Sequence, residues 1–116
     1  MIVTEANPAS APAESFRTLR TAIRHKRIRP ESRGMVVMVS SPGRREGKTT
    51  TLSNLAVAYA QEGKSVVAVD GNLRHPALHE AFGIPNQKGL IAYHRDRTPA
   101  GQSVVPSGYS RLDLMP

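Results

Sequence analysis

Residues 35 to 60 read MVVMVSSPGRREGKTTTLSNLAVAYA: an apolar run, a turn-forming loop and a stretch of helical spacing in direct succession. No other feature constrains the fold as strongly. The run at 35–40 is short, β-branched and apolar on both sides, the pattern of a buried parallel strand. From 47 to 62, Leu52, Leu55, Ala56 and Tyr59 fall on one helical face, and Gly63 follows where a left-handed cap belongs. The segment SVVAVD at 65–70 is a second buried strand that ends on an acid, Asp70. Strand, helix and strand at these lengths predict a parallel sheet with right-handed crossovers, hence an α/β fold.

The flanking segments fit around that unit. Residues 1–11, rich in Ala, Pro and Ser, predict a flexible arm, and 12–116 a single folded domain. Phe16, Leu19 and Ile23, with Ala22 beside them, predict an amphipathic helix over 12–28, with Pro12 tolerated in its first turn. RPESRG at 29–34 ends it. PALHEAF at 76–82 predicts a short helix with Pro76 at its first position. KGLIAYHRD at 88–96 adds a turn or two, and RLDLMP at 111–116 reads as a third strand, cut off at the chain end.

Composition sets limits on function. At 116 residues there is room for one modest core, and with 4% aromatics and no Trp it must be built from Val, Leu, Ile, Ala and Met. The absence of Cys excludes disulfides and thiolate metal sites and fits a reducing compartment. The longest apolar run, Met35 to Val39, is far short of the roughly 20 residues of a spanning helix, and the first residues lack a secretory pattern. The expectation is a cytoplasmic chain. The net charge of +7 gathers in Arg17, Arg20, Arg24, Lys26, Arg27, Arg29 and Arg33. Such a block suits nucleic acid, anionic headgroups or an acidic protein, or is simply a solvated helix face.

The loop carries the chemistry. A phosphate loop needs inward N–H groups, a lysine for the β and γ phosphates, and a hydroxyl for magnesium. Gly47, Lys48 and Thr49 form G-K-T between the predicted strand and helix; Pro42 stands where the first glycine is usual, with Gly43 one place late. Asp70 closes the next strand, so in a parallel sheet its carboxylate lies at the ligand-binding edge beside the loop. Its other role is to cap the following turn. His75 and His79 have helical metal-ligand spacing but no third ligand in sequence.

These residues bring a resemblance into view. Residues 41–90 resemble the bacterial tyrosine kinases of capsule and exopolysaccharide synthesis, through Glu46, Gly47, Lys48 and Thr49, then Asn54, Leu55 and Ala56, then Asp70, Arg74 and Pro76, then Asn86, Gly89 and Leu90. Glu14, Arg17 and Arg20 match the E-x-x-R-x-x-R motif through which that family assembles into rings. The resemblance implies a P-loop NTPase-type parallel sheet with flanking helices. It further implies binding of ATP and Mg2+ and phosphoryl transfer to tyrosine. Gly43, Glu46, Gly47, Lys48, Thr49, Thr50 and Arg74 would then bind nucleotide, Thr49 and Asp70 the metal, and Lys48 and Asp70 would carry catalysis. The implied partners are other copies in a ring and a membrane adaptor holding the chain at the inner face of the cell membrane, with no nucleic acid. The chain departs from the pattern at Asn72, in place of a second acid, and at Arg44 and Arg45, where Pro and Gly are usual. It also ends ahead of the family's later acidic motif and tyrosine cluster; Tyr59, Tyr93 and Tyr109 are scattered, and Tyr59 reads as a core residue. Two alternatives stand beside the kinase. A partitioning or division-site ATPase would carry a lysine where this chain has Gly43. A nucleotide-binding, oligomerising fragment without chemistry would suit Asn72.

Overall fold

The structure, a computed structural model, describes residues 2–26 and 33–116. The elements in order are α1 (Val3–Ala6), α2 (Ala11–His25), α3 (Lys48–Gln61), β1 (Val66–Val69), α4 (Leu78–Phe82), α5 (Leu90–Arg95), α6 (Ala100–Ser103), β2 (Val105–Pro106) and β3 (Leu112–Met115). The sheet runs β1-β3-β2, with β1 parallel to β3 in the register Val66 to Leu112 and Ala68 to Leu114. β2 joins β3 antiparallel, so the sheet is mixed where the spacing predicts a parallel one. Pro106 is tolerated there because β2 is an edge strand.

The helices start and stop for local reasons. Ser10, extended at φ −70° and ψ 153°, caps α2 by accepting from the Ala13 N–H at 3.2 Å, while Glu14 in the first turn and Arg24 and His25 in the last complement the helix dipole. α3 ends in a paired cap: the Gly63 N–H donates to Ala60 at 2.9 Å and the Lys64 N–H to Tyr59 at 3.2 Å, with Gly63 at φ 91°. That conformation costs glycine little and any other residue a Cβ clash. α4 begins at Leu78 with Ala77 as its cap, so Pro76 lies outside the helix, not at its first position.

The core forms where α3 lies on the sheet. Ala56, Val57 and Ala60 of α3 meet Ala68, Leu112 and Leu114, and Leu78 and Ile2 close the cluster. Phe82 and Tyr109 pack edge to face against it, ring centroids 5.7 Å apart. Tyr59 is only half-buried; burial raises its phenol pKa, and its hydroxyl donates to the Arg20 carbonyl at 3.4 Å.

Of the arm predicted over 1–11, the described residues 2–11 are not free: α1 packs on α2 and α3, Ile2 and Thr4 are buried, and Thr4 is hydrogen-bonded to Asn54. An apolar side chain and a paired polar one outweigh the turn-rich composition. The segment 35–40 is not a strand, and among the described residues none pairs with it; Val36 is 97% and Met38 86% exposed. A strand exists only with a hydrogen-bonded neighbour, whatever its β-branched content. β1 is buried on one face alone, with Val67 54% exposed, because α3 covers the other face. The helix predicted over 12–28 spans 11–25, and its last two predicted residues, like the break at 29–32, lie outside the described residues.

Candidate functional site

The loop between residue 40 and α3 folds back on itself. Gly47 adopts φ 86° as the cap of α3, and its carbonyl accepts the Thr51 N–H at 2.8 Å, the first rung of the helix. The N–H groups of the turn before that rung have no intrahelical acceptor, which makes this end of α3 a place for an anion. Lys48 Nζ donates to Ser41 Oγ at 2.7 Å and to the Gly43 carbonyl at 2.8 Å. Ser41 Oγ itself donates to the Gly43 carbonyl at 3.0 Å. Glu46 reaches back so that its carboxylate accepts the Gly43 N–H at 3.0 Å. That N–H, with Ser41 and then Lys48 as lesser causes, holds the Glu46 carboxyl below the ordinary glutamate range. Arg44 and Arg45 project from the loop into solvent, and Arg45 is held at φ 54°, an uncommon conformation for a residue with a side chain.

Asp70 stands at the end of β1, buried, and is used by its own chain. Oδ1 accepts the Asn72 N–H at 2.9 Å; Oδ2 accepts the N–H groups of Ala77 at 2.9 Å and Leu78 at 3.0 Å. It thus caps the start of α4 and ties down the 71–77 loop, the structural alternative that its position allowed. Asn72 continues that turn by accepting the His75 N–H at 3.2 Å. Arg74 is exposed. A cavity of about 230 Å³ opens beside Asp70, lined by Asn72, Leu73, Pro76, Lys88, Ile91 and Arg95 among others. Across it Arg95 pairs with Asp96 at 2.9 Å, which lowers the Asp96 pKa and raises that of Arg95.

The structure therefore gathers Gly43, Glu46, Gly47 and Lys48 into one hydrogen-bonded loop, with Thr49 and Thr50 opening the helix that follows. Asp70 and Arg74 belong to a second loop, and among the described residues no hydrogen bond joins the two. Ser41 is the loop residue that motif reading missed; its place directly before Pro42 was the available signal. Glu14 and Arg17 form an i, i+3 pair at 3.1 Å on α2. Arg20 turns inward, donating to the Ala58 carbonyl at 2.7 Å and lying 3.5 Å from Glu62, which Arg24 also engages at 2.6 Å. Among the described residues no cluster of metal-ligating side chains forms around His75 and His79, and no helix is long and apolar enough to cross a membrane.

The fold and loop define a class: an α/β domain of the P-loop type, in which a lysine-bearing loop opens a helix beside a parallel strand pair. Comparison with known proteins narrows that class. The chain is 34% identical over 114 residues to the tyrosine-protein kinase YwqD of Bacillus subtilis, covering 98% of this chain and 47% of that protein. It superposes on the kinase domain of the Escherichia coli tyrosine kinase ETK with a TM-score of 0.88 at 26% identity, over 99% of this chain and 44% of that one. The crystal structure of the chimerical protein CapA2B2 matches with a TM-score of 0.87 at 32% identity, over 98% of this chain and 49% of that one. No family model matches. The chain belongs to the bacterial tyrosine-kinase family and spans about half the length of these three matches. Those relatives do not favour the partitioning-ATPase alternative.

Proposed function

We propose that the chain is the nucleotide-binding part of an autophosphorylating protein-tyrosine kinase of capsule or exopolysaccharide biosynthesis. The observation that carries this reading is the loop itself: a lysine ammonium and a main-chain N–H converge at the start of α3, and the N–H already holds an anionic oxygen. A phosphate chain offers the same kind of acceptor, so the donor set fits ATP. Lys48 would hold the β and γ phosphates, with Gly43, Gly47 and Thr50 around the chain and Arg74 available as a further cation. Thr49 and Asp70 would hold Mg2+, which neutralises phosphate charge when bound. Asp70, fixed by N–H groups from the 71–77 loop and α4, would orient an acceptor hydroxyl. Association into a ring through Glu14, Arg17 and Arg20, and a membrane adaptor as activator, are parts of the same proposal. Glu14 is 68% exposed and open to another copy.

Titration of labelled ATP with magnesium against wild type and Lys48→Ala tests the reading: the variant binds at least tenfold more weakly, a loss of about 1.4 kcal/mol. Equal affinities refute it. One observation favours a binding unit of little catalytic power: the Asp70 oxygens already accept three N–H groups, and its neighbour Asn72 is neutral. Phosphotyrosine formed on a tyrosine substrate by this chain with ATP and magnesium decides between the two.

A further inference from the structure

We propose that Glu46 is a built-in occupant of the phosphate loop, whose carboxylate holds the Gly43 N–H in the nucleotide-free chain and must be displaced by an incoming phosphate chain. The inference rests on the nucleotide reading of the loop and adds a step to it. Its first support is the closed set of bonds. Gly43 gives its N–H to Glu46 at 3.0 Å and receives at its carbonyl both Lys48, at 2.8 Å, and Ser41, at 3.0 Å. Both polar groups of that residue are thus consumed by side chains of the loop itself. The second support is steric. A Cβ at position 43 would lie 2.8 Å from Glu46 Oε1, so glycine leaves the space in which the carboxylate sits. The backbone between them is correspondingly bent, with Arg45 at φ 54°.

Charge decides what can replace the carboxylate. A carboxylate and a phosphate oxygen are both acceptors for an N–H, and one N–H directed at Glu46 cannot serve both. Lys48 is bonded to two neutral oxygens and makes no ion pair within the described residues, so its charge stays available to an arriving anion. A phosphate chain therefore takes the N–H from Glu46 and draws Lys48 from Ser41 and Gly43. Glu46 swings into solvent, where it is already exposed. The apparent affinity is the intrinsic affinity multiplied by the fraction of chains in which Glu46 has left.

The test uses the 116-residue chain as wild type, Glu46→Ala and Glu46→Gln, with folding of each checked by its melting temperature. The nucleotide-free state is read from the chemical shift and hydrogen exchange of the Gly43 amide. In Glu46→Ala that amide shifts and exchanges faster; an amide that does not respond overturns the proposal, whatever the chain binds. Mg-ATP affinity is then measured. Removing the occupant tightens binding roughly three- to tenfold in Glu46→Ala. Glu46→Gln, whose amide oxygen still reaches Gly43 without charge, gains less. Equal or weaker binding by Glu46→Ala overturns displacement. Binding by none of the proteins, with the Gly43 amide still responding, refutes the nucleotide reading and the displacement step with it.

Discussion

Asn54 shows how much one polar side chain decides inside this small domain. It is wholly buried in α3; its Oδ1 accepts the Thr4 N–H at 3.2 Å and the Thr4 hydroxyl at 3.4 Å, and its Nδ2 donates to the Thr50 carbonyl at 2.9 Å. Buried polar groups are costly unless paired, so these bonds fasten α1 onto α3 as specifically as the apolar contact of Ile2 does. Replacing Asn54 by Ala strands the Thr4 donors, and urea unfolding should show a loss of about 2 kcal/mol. Glu46 gives a prediction of a different kind. Its carboxyl is held below the usual 4.5, so the closed loop is complete above the unfolded-state value and is lost as pH falls through the lower folded one. Lys48 is the charged group facing it. The Gly43 amide should therefore titrate with a midpoint below 4.5; a midpoint at or above it contradicts the hydrogen bond. Gly47, Lys48 and Thr49 were legible because a phosphate loop is a local pattern. Ser41 and the inward turn of Glu46 were not, because they exist only once the loop has folded back on Gly43.

At the scale of elements, helix ends and helix pairs behave differently. The end of α3 is a local matter: Gly63 at φ 91° was readable from one glycine after an apolar-striped run, and Gly63→Ala should cost about 1 kcal/mol, measured by thermal melting. The seating of α2 on α3 was not readable. Arg20 and Arg24 converge on Glu62, thirty-eight residues away from Arg24 in sequence, and Arg20 also holds the Ala58 carbonyl. The motif reading gave Arg20 to assembly, yet within one chain it is already engaged. Glu62→Ala should loosen α2 and lower stability by about 1 kcal/mol, since the pair with Arg24 is partly solvated. Limited proteolysis near residue 26 would report the loosening. In sedimentation, Glu14→Arg should reduce any self-association while leaving the melting temperature close to wild type, because the Glu14 and Arg17 pair is exposed and worth only a few tenths of a kcal/mol.

The whole molecule presents apolar surface that its own described elements do not cover. Val36 and Met38 on the 35–40 segment and Val67 on the edge strand β1 are exposed. Such edges and patches invite association. Substituting both Val36 and Met38 by Lys should leave stability within about 0.5 kcal/mol and reduce aggregation measured by light scattering. A large loss of stability would show that the segment is packed after all. The sequence by itself determined the short-range features: α3 from its apolar stripe, its terminal glycine, the lysine-bearing loop before it and the strand pattern that ends on Asp70. Each of these rests on neighbours within a turn or two, and local sterics and capping suffice to specify them. Only the tertiary structure decided that 2–11 docks through Ile2 and Thr4, that β3 takes an antiparallel neighbour, that Asp70 caps α4 and that 35–40 finds no strand partner among the described residues. Those outcomes depend on which distant groups supply a hydrogen bond or cover an apolar face, and spacing along the chain carries no record of that.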